Sequence, residues 1–241
     1  MNHPALFHDQ LVLGQSKLRA ILGSSPLRTL KPGELLAAAG SSDSIYRLRA
    51  GWACQFRDLD NGRRVILDIC LPGDMIGLDA GIYTRPQEIL TLTAATVEAI
   101  PAEDLFELMA DRSIALYFAF LFGQRQRRTD RLLTALSCLD ARGRLGMMLF
   151  DFYKRLRRRK IISGLIYNFP LTQVQIGNYL GLTVVHINRV LGSLRSERIV
   201  DLEKHCVTIL DLERLAILAK NGGAASSRAI SRARGLSEAA E

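Results

Sequence analysis

Residues 171–198 read LTQVQIGNYLGLTVVHINRVLGSLRSER, and their polar side chains fall where one helix can present them to a nucleic acid. His186, Asn188, Arg189 and Arg195 lie opposite Ile187, Val190, Leu191 and Leu194, which recur at helical spacing. An arginine can bond guanine O6 and N7 in the major groove, and an asparagine can pair with adenine N6 and N7. Val185 can make only apolar contact, for instance with a thymine methyl. This chemistry is the reading of base edges.

Such side chains must be held by a scaffold, and the flanking residues supply one. Thr172 suits an N-cap, because its hydroxyl can accept from a free helix-end amide. Val174, Ile176 and Leu180 give a first short helix an apolar face. Gly181 ends it, since glycine takes the left-handed conformation at no steric cost. Thr183 caps a second helix after a three-residue turn. The pattern is a helix-turn-helix leading into a wing. Its candidate DNA contacts are Thr172, Gln173, Thr183, Val185, His186, Asn188, Arg189 and Arg195. An inert helical hairpin would more often carry Glu and Lys on its polar face.

At 241 residues the chain can bury two modest cores. The net charge of +8 favours an anionic partner. Between Asp140 and Leu210, twelve basic residues face five acidic ones, so nearly all the excess belongs to the region of the helix-turn-helix. The run from Lys154 to Lys160 is either a solvated helix end or a set of phosphate contacts. Cys54, Cys70, Cys138 and Cys206 form no C-x-x-C pair and have no metal spacing. Free thiols in a reducing cytoplasm account for them. The longest uncharged apolar run, 114–123, is too short to span a bilayer, and no secretory leader is recognisable.

Residues 1–25 read as a helical or irregular lead-in, with Leu11, Leu18, Ile21 and Leu22 available to pack. From 26 to 101 the texture is short apolar runs: 35–36, 45–48, 65–69, 75–76, 89–92 and 96–100. Recurring glycines and the turns Asp60-Asn61-Gly62 and Pro72-Gly73-Asp74 punctuate them, which predicts an all-β roll. Residues 102–139 are helical, with Pro101 suited to the first turn. Ala115, Phe118, Phe122, Arg125, Thr129, Leu132, Leu136 and Leu139 follow steps of three and four, a heptad seam that either packs within the chain or, as its length favours, joins a parallel homodimer. Residues 140–143 read as a hinge, and 145–156 as another amphipathic helix. A wing hairpin follows at 200–209, turning near Lys204, then a closing helix at 211–219. The tail from 221 has a disordered composition, and its Arg228, Arg232 and Arg234 are either solvated or brush DNA.

Across roughly 27–219 the chain resembles the Crp/Fnr family of winged-helix transcription regulators. These are typified by the catabolite activator (cyclic AMP receptor) protein and the fumarate–nitrate regulator. The run Ile176-Gly177-Asn178-Tyr179-Leu180-Gly181-Leu182-Thr183-Val184, with Arg189 and Leu191, carries the likeness. The resemblance implies an α+β fold: an N-terminal β-roll (a cyclic-nucleotide-binding-like jelly roll), a long dimerisation helix and a C-terminal winged helix-turn-helix. It implies double-stranded palindromic DNA, a second copy of the chain, RNA polymerase and a small-molecule effector as partners. It also implies that Arg189 reads a guanine in each half-site.

The roll departs from relatives that bind cyclic AMP. These place a Glu after a Gly, and an Arg before a Ser or Thr and an Ala. Here the stretches run Gly77-Leu78-Asp79-Ala80-Gly81 and Ile89-Leu90-Thr91-Leu92-Thr93-Ala94. Leu78 stands at the Glu position, and no Arg precedes Ala94. Arg85-Pro86 reads as an exposed turn. A cyclic phosphate would therefore lack its charge-assisted bonds. No cysteine occurs in 1–53, which argues against an iron–sulfur cluster. His3 and His8 are the only histidines before the helix-turn-helix, so haem ligation is not expected and no cofactor is foreseen. Cys54 and Cys70 are either small buried hydrophobes or, on neighbouring strands, a thiol pair. Arg125, a charge at a seam position, either meets a residue across the dimer, holds an anionic effector, or stands exposed because the register is one step off. No catalytic constellation is visible, so an enzyme is not expected. The rival reading is an architectural DNA binder that needs no effector.

Overall fold

The structure, a computed structural model, describes residues 3–40, 44–80 and 87–220. The turn expected at Arg85-Pro86 and the tail over 221–241 lie outside the described residues. Two compact units divide between Asp130 and Arg131.

In the first unit, helix α1 (His3–Ser24) precedes, among the described residues, eight strands: β1 (Leu27–Leu30), β2 (Leu35–Ala37), β3 (Ser44–Ala50), β4 (Ala53–Asp58), β5 (Arg64–Cys70), β6 (Met75–Ile76), β7 (Glu88–Thr91) and β8 (Ala95–Pro101). They form two antiparallel four-stranded sheets, ordered β1-β8-β3-β6 and β2-β7-β4-β5. Leu30, Leu36, Leu48, Ile76, Ile89 and Val97 form one apolar core of this roll. Gly62 and Gly73 both have positive φ, as the turns around them require. Asp74 tightens its own turn by accepting from the Leu71 amide at 2.7 Å. Strands β1 and β4 escape a search for apolar runs, because LRTL and ACQFRD mix polar and apolar residues.

The helical region begins later than the sequence suggests. Pro101 ends β8, paired with Ser44, instead of starting a helix. A short helix α2 (Leu105–Ala110) comes first, and the long helix α3 (Arg112–Cys138) starts only after Asp111. The Asp111 carboxylate accepts from the Ser113 and Ile114 amides at 2.9 and 3.1 Å, an N-cap for α3. Lys17 and these donors hold its pKa far below the usual carboxylate range. Leu18 and Leu22 of α1 join Ile45, Leu78, Ile100, Leu105, Ile114 and Phe118 in a second core.

The second unit contains α4 (Ala141–Arg158), β9 (Ile166–Asn168), α5 (Gln173–Leu180), α6 (Val184–Ser196), β10 (Val200–Glu203), β11 (Cys206–Ile209) and a final helix α7 over 212–220. The strands form a sheet ordered β10-β11-β9. Leu145, Leu149, Phe169, Ile176, Leu180, Ile187 and Leu194 are completely buried.

Candidate nucleic-acid interface

Two helices and a tight turn set the geometry of the interface. Thr172 caps α5 by accepting from the Gln175 amide at 3.2 Å, and Gln175 Oε1 accepts from the Thr172 amide at 2.8 Å. This reciprocal box satisfies two otherwise free donors. Gly181 ends α5 at φ 64°, ψ 37°, and its amide returns to the Gly177 carbonyl. Thr183 then caps α6 by accepting from the His186 amide at 3.3 Å. Ile187 and Leu194 are buried, as is most of Val190, so the other face of α6 is fixed outward.

Val185, His186, Asn188 and Arg189 are all exposed on that face. Arg189 has no hydrogen-bond or ion-pair partner among the described residues, leaving its five donors available. Gln173 donates to Asn188 Oδ1, a brace between the start of α5 and the middle of α6. The oxygen that would accept from adenine N6 therefore already holds a protein donor. Thr172 and Thr183 spend their hydroxyls on the caps, so they position the helices.

Arg195 is placed differently from its expected role. Its guanidinium meets Asp201 at 2.6 Å, Glu203 at 3.1 Å and the Leu202 carbonyl at 3.2 Å. Two carboxylates neutralise the charge a phosphate would need, and the residue ties α6 to β10. Val174 also differs: it is 59% exposed, so it does not belong to the apolar face of α5. The wing hairpin turns through Lys204 and His205, whose φ values are 46° and 61°. Such a left-handed pair suits a two-residue hairpin turn but is not the Asn-Gly type a sequence reader looks for. Arg142 and Arg214 both bond Glu197, fastening the end of α6 to α4 and α7, and Arg142 foremost holds the Glu197 pKa down.

Gly177 is a residue that sequence reasoning missed. A Cβ there would lie 2.6 Å from the Leu182 carbonyl oxygen, inside the turn. The signal was present as a glycine inside a helix, which costs stability unless a close approach requires it. Gly177→Ala is expected to push the turn open, costing about 1–3 kcal/mol. Thermal unfolding followed by circular dichroism checks this, and an unchanged midpoint would show that the turn has room.

Arg144 links the end of α3 to this module. It donates to the carbonyls of Leu136 and Leu139 at 2.8 and 2.9 Å and to that of Leu180 at 3.2 Å. One guanidinium thus satisfies free carbonyls at the ends of α3 and α5.

In the roll, Arg125 finds its partners within its own chain. It donates to Gln55 at 3.0 Å and lies 3.9 Å from Asp79. Arg128 reaches Asp68 and Asp74 at 3.3 and 3.4 Å, so both arginines fasten α3 to the roll. Leu78, at the position of the relatives' glutamate, is buried in the second core. The strands of Cys54 and Cys70 are neighbours, but Ala53 pairs with Cys70 and Cys54 with Ile69. Paired residues share a face and successive residues alternate, so the two thiols lie on opposite faces of the sheet. Burial pushes the Cys54 thiol up to about 12. A thiol sensor needs the opposite on both counts.

A twice-capped helix pair with an outward polar face, backed by a three-stranded wing sheet, defines a winged helix-turn-helix DNA-binding domain. The model of the Crp-like helix-turn-helix domain matches residues 143–218, and that of the cyclic nucleotide-binding domain matches 27–112. The transcriptional activator protein Anr of Pseudomonas protegens is 31% identical over 196 residues, covering 80% of each chain. The anaerobic regulatory protein of Haemophilus influenzae is 29% identical over 191 residues, 78% of this chain and 74% of its own. The fold resembles that of FixK2 from Bradyrhizobium japonicum, with a TM-score of 0.72 at 21% identity, over 83% of this chain and 99% of that one. The chain belongs to the Crp/Fnr family and is a helix-turn-helix transcription regulator.

Proposed function

We propose that the chain works as a homodimer that binds a palindromic DNA site and responds to an effector other than cyclic AMP. The observation that carries this reading is Arg189, unpartnered among the described residues on the outward face of a helix capped and packed from behind. Two such helices must meet successive major grooves roughly 34–36 Å apart, which a two-fold dimer provides. Ala119, Phe122, Gln126, Thr129 and Leu133 are exposed on α3 at alternating steps of three and four. Ala115 and Leu136 continue the series, and this stripe is the surface offered to a second copy. Leu78 fills the place of a ribose-binding carboxylate, which supports a different signal. Arg144 offers a route by which movement at the end of α3 would reach α5. RNA polymerase is the protein partner this reading carries, and the cytoplasm its compartment. No described helix is long and apolar enough to cross a membrane. The reading includes no catalytic role.

Selection of binding sites from random DNA tests the proposal. The expected result is a palindrome that keeps one guanine per half-site. It should differ from TGTGA and TTGAT at the base pair met by Val185, where relatives commonly carry Glu. Nearly equal affinity for scrambled DNA would favour the architectural reading. An unaltered TGTGA consensus would show that Val185 and Asn188 do not redirect the readout.

A further inference from the structure

The second unit holds a groove of about 660 Å³ that base readout does not use. It lies between the C-terminal half of α4 and α7, and no side chain of α5 or α6 lines it. Four cations do: Arg131, Lys154, Arg157 and Arg158. The one acid among the lining residues is Glu213, which is exposed. Asp151 is the nearby carboxylate, and its oxygens meet Arg131 at 3.0 Å and Arg155 at 3.7 Å. Lys154 and Arg158 have no ion-pair partner among the described residues.

The groove also has an apolar side. The rings of Phe150 and Tyr153 lie 6.5 Å apart at 25°, and Leu212 and Ala216 extend their surface. Lys154 Nζ sits 4.4 Å over the Phe150 ring. Arg157 lies over the Tyr153 ring and donates to its hydroxyl. Burial foremost lowers the Lys154 pKa, and Arg131, Arg158 and Lys220 act in the same direction against Asp151. Cations crowded together and partly desolvated are costly unless an anion joins them.

We propose that this groove binds a free nucleotide carrying two or more phosphates. The volume falls within the roughly 300–1,000 Å³ of small-molecule sites. Guanidinium and ammonium groups are the usual partners of phosphate oxygens, and several of them together suit more than one phosphate. The aliphatic wall of Leu212 and Ala216, beside the two rings, gives a flat base an apolar surface to lie on. Duplex DNA could supply the phosphates but not the base, because its bases are stacked and paired. The site lies apart from the recognition helix, so the proposal does not depend on the dimer or the effector.

The test is calorimetric titration of the full chain at physiological salt, without magnesium. ATP, GTP, inorganic pyrophosphate and adenosine are the probes. At least one nucleotide should bind saturably, pyrophosphate more weakly and adenosine not measurably. Lys154→Gln and Arg158→Gln should each weaken the nucleotide by about tenfold, the scale of one charge-assisted phosphate contact. Unchanged melting curves of the two variants would exclude misfolding as the cause. Absence of saturable heat with both nucleotides would overturn the proposal, as would binding that ignores both substitutions. Pyrophosphate binding as tightly as ATP and GTP would remove the base from the site. A reduced salt dependence of DNA binding in these variants, without nucleotide binding, would instead make the groove a DNA-phosphate contact.

Discussion

Replacing Arg189 by alanine should abolish discrimination at one base pair of each half-site. A bidentate arginine–guanine contact is worth about 1–3 kcal/mol, and a dimer makes it twice. The loss on the selected palindrome should therefore be roughly 2–6 kcal/mol, or about thirtyfold to twenty-five-thousandfold in affinity. Affinity for random DNA should fall far less, because phosphate contacts supply it. The fold should be indifferent, since Arg189 is exposed and unpartnered among the described residues. Arg195→Ala is the instructive contrast. That side chain is 52% exposed and paired with two carboxylates, and such pairs contribute about 0–1 kcal/mol. It should loosen the wing slightly and leave base preference intact. Fluorescence anisotropy on specific and scrambled duplexes measures both variants. Equal weakening of Arg189→Ala on the two duplexes would demote it to a phosphate contact.

Leu133→Glu should convert the proposed dimer to monomers without harming the fold. Leu133 is 57% exposed in the single chain, so a second copy is what would cover it. Burying one such side chain is worth about 1.5–3 kcal/mol, and two-fold symmetry doubles this. Two glutamates facing each other across the axis add repulsion. The dissociation constant should rise by about a hundredfold or more. Leu132→Glu should behave in the opposite way. Leu132 is 9% exposed, so a charge there should lower the melting temperature first. Light scattering and thermal unfolding on both variants separate the two outcomes. A Leu133→Glu protein that remains dimeric at micromolar concentration would refute the exposed stripe as the interface.

This pair of leucines shows what periodicity leaves open. Ala115, Phe122, Thr129 and Leu136 stand seven apart, as do Phe118, Arg125, Leu132 and Leu139. The first set borders the exposed stripe. In the second, Phe118 and Leu132 are buried, and Arg125 bonds Gln55. The partners of the first set on the open side are Ala119, Gln126 and Leu133, one residue further on. A long helix can carry one apolar stripe for its own chain and another for a second copy. The spacing is the same for both, so sequence cannot assign them.

The sequence by itself determined what depends on neighbours a few residues away. Thr172 and Thr183 cap, Gly181 turns left-handed, and Gly62 and Gly73 sit in tight turns, because each needs only adjacent backbone. The same locality made the helix-turn-helix, and with it the family, legible from residues 171–198. The tertiary structure decided everything that depends on what comes near from far along the chain. It set Arg125 beside Gln55 and Asp79, gave Phe118 to the second core with α1, and left Val174 exposed. It also brought Lys154, Arg157 and Arg158 together with Arg131 and α7 in one groove. A charged side chain of several rotatable bonds reaches many partners, and only the packed chain selects among them. For that reason the helices could be read from sequence, whereas most of the arginines' roles could not.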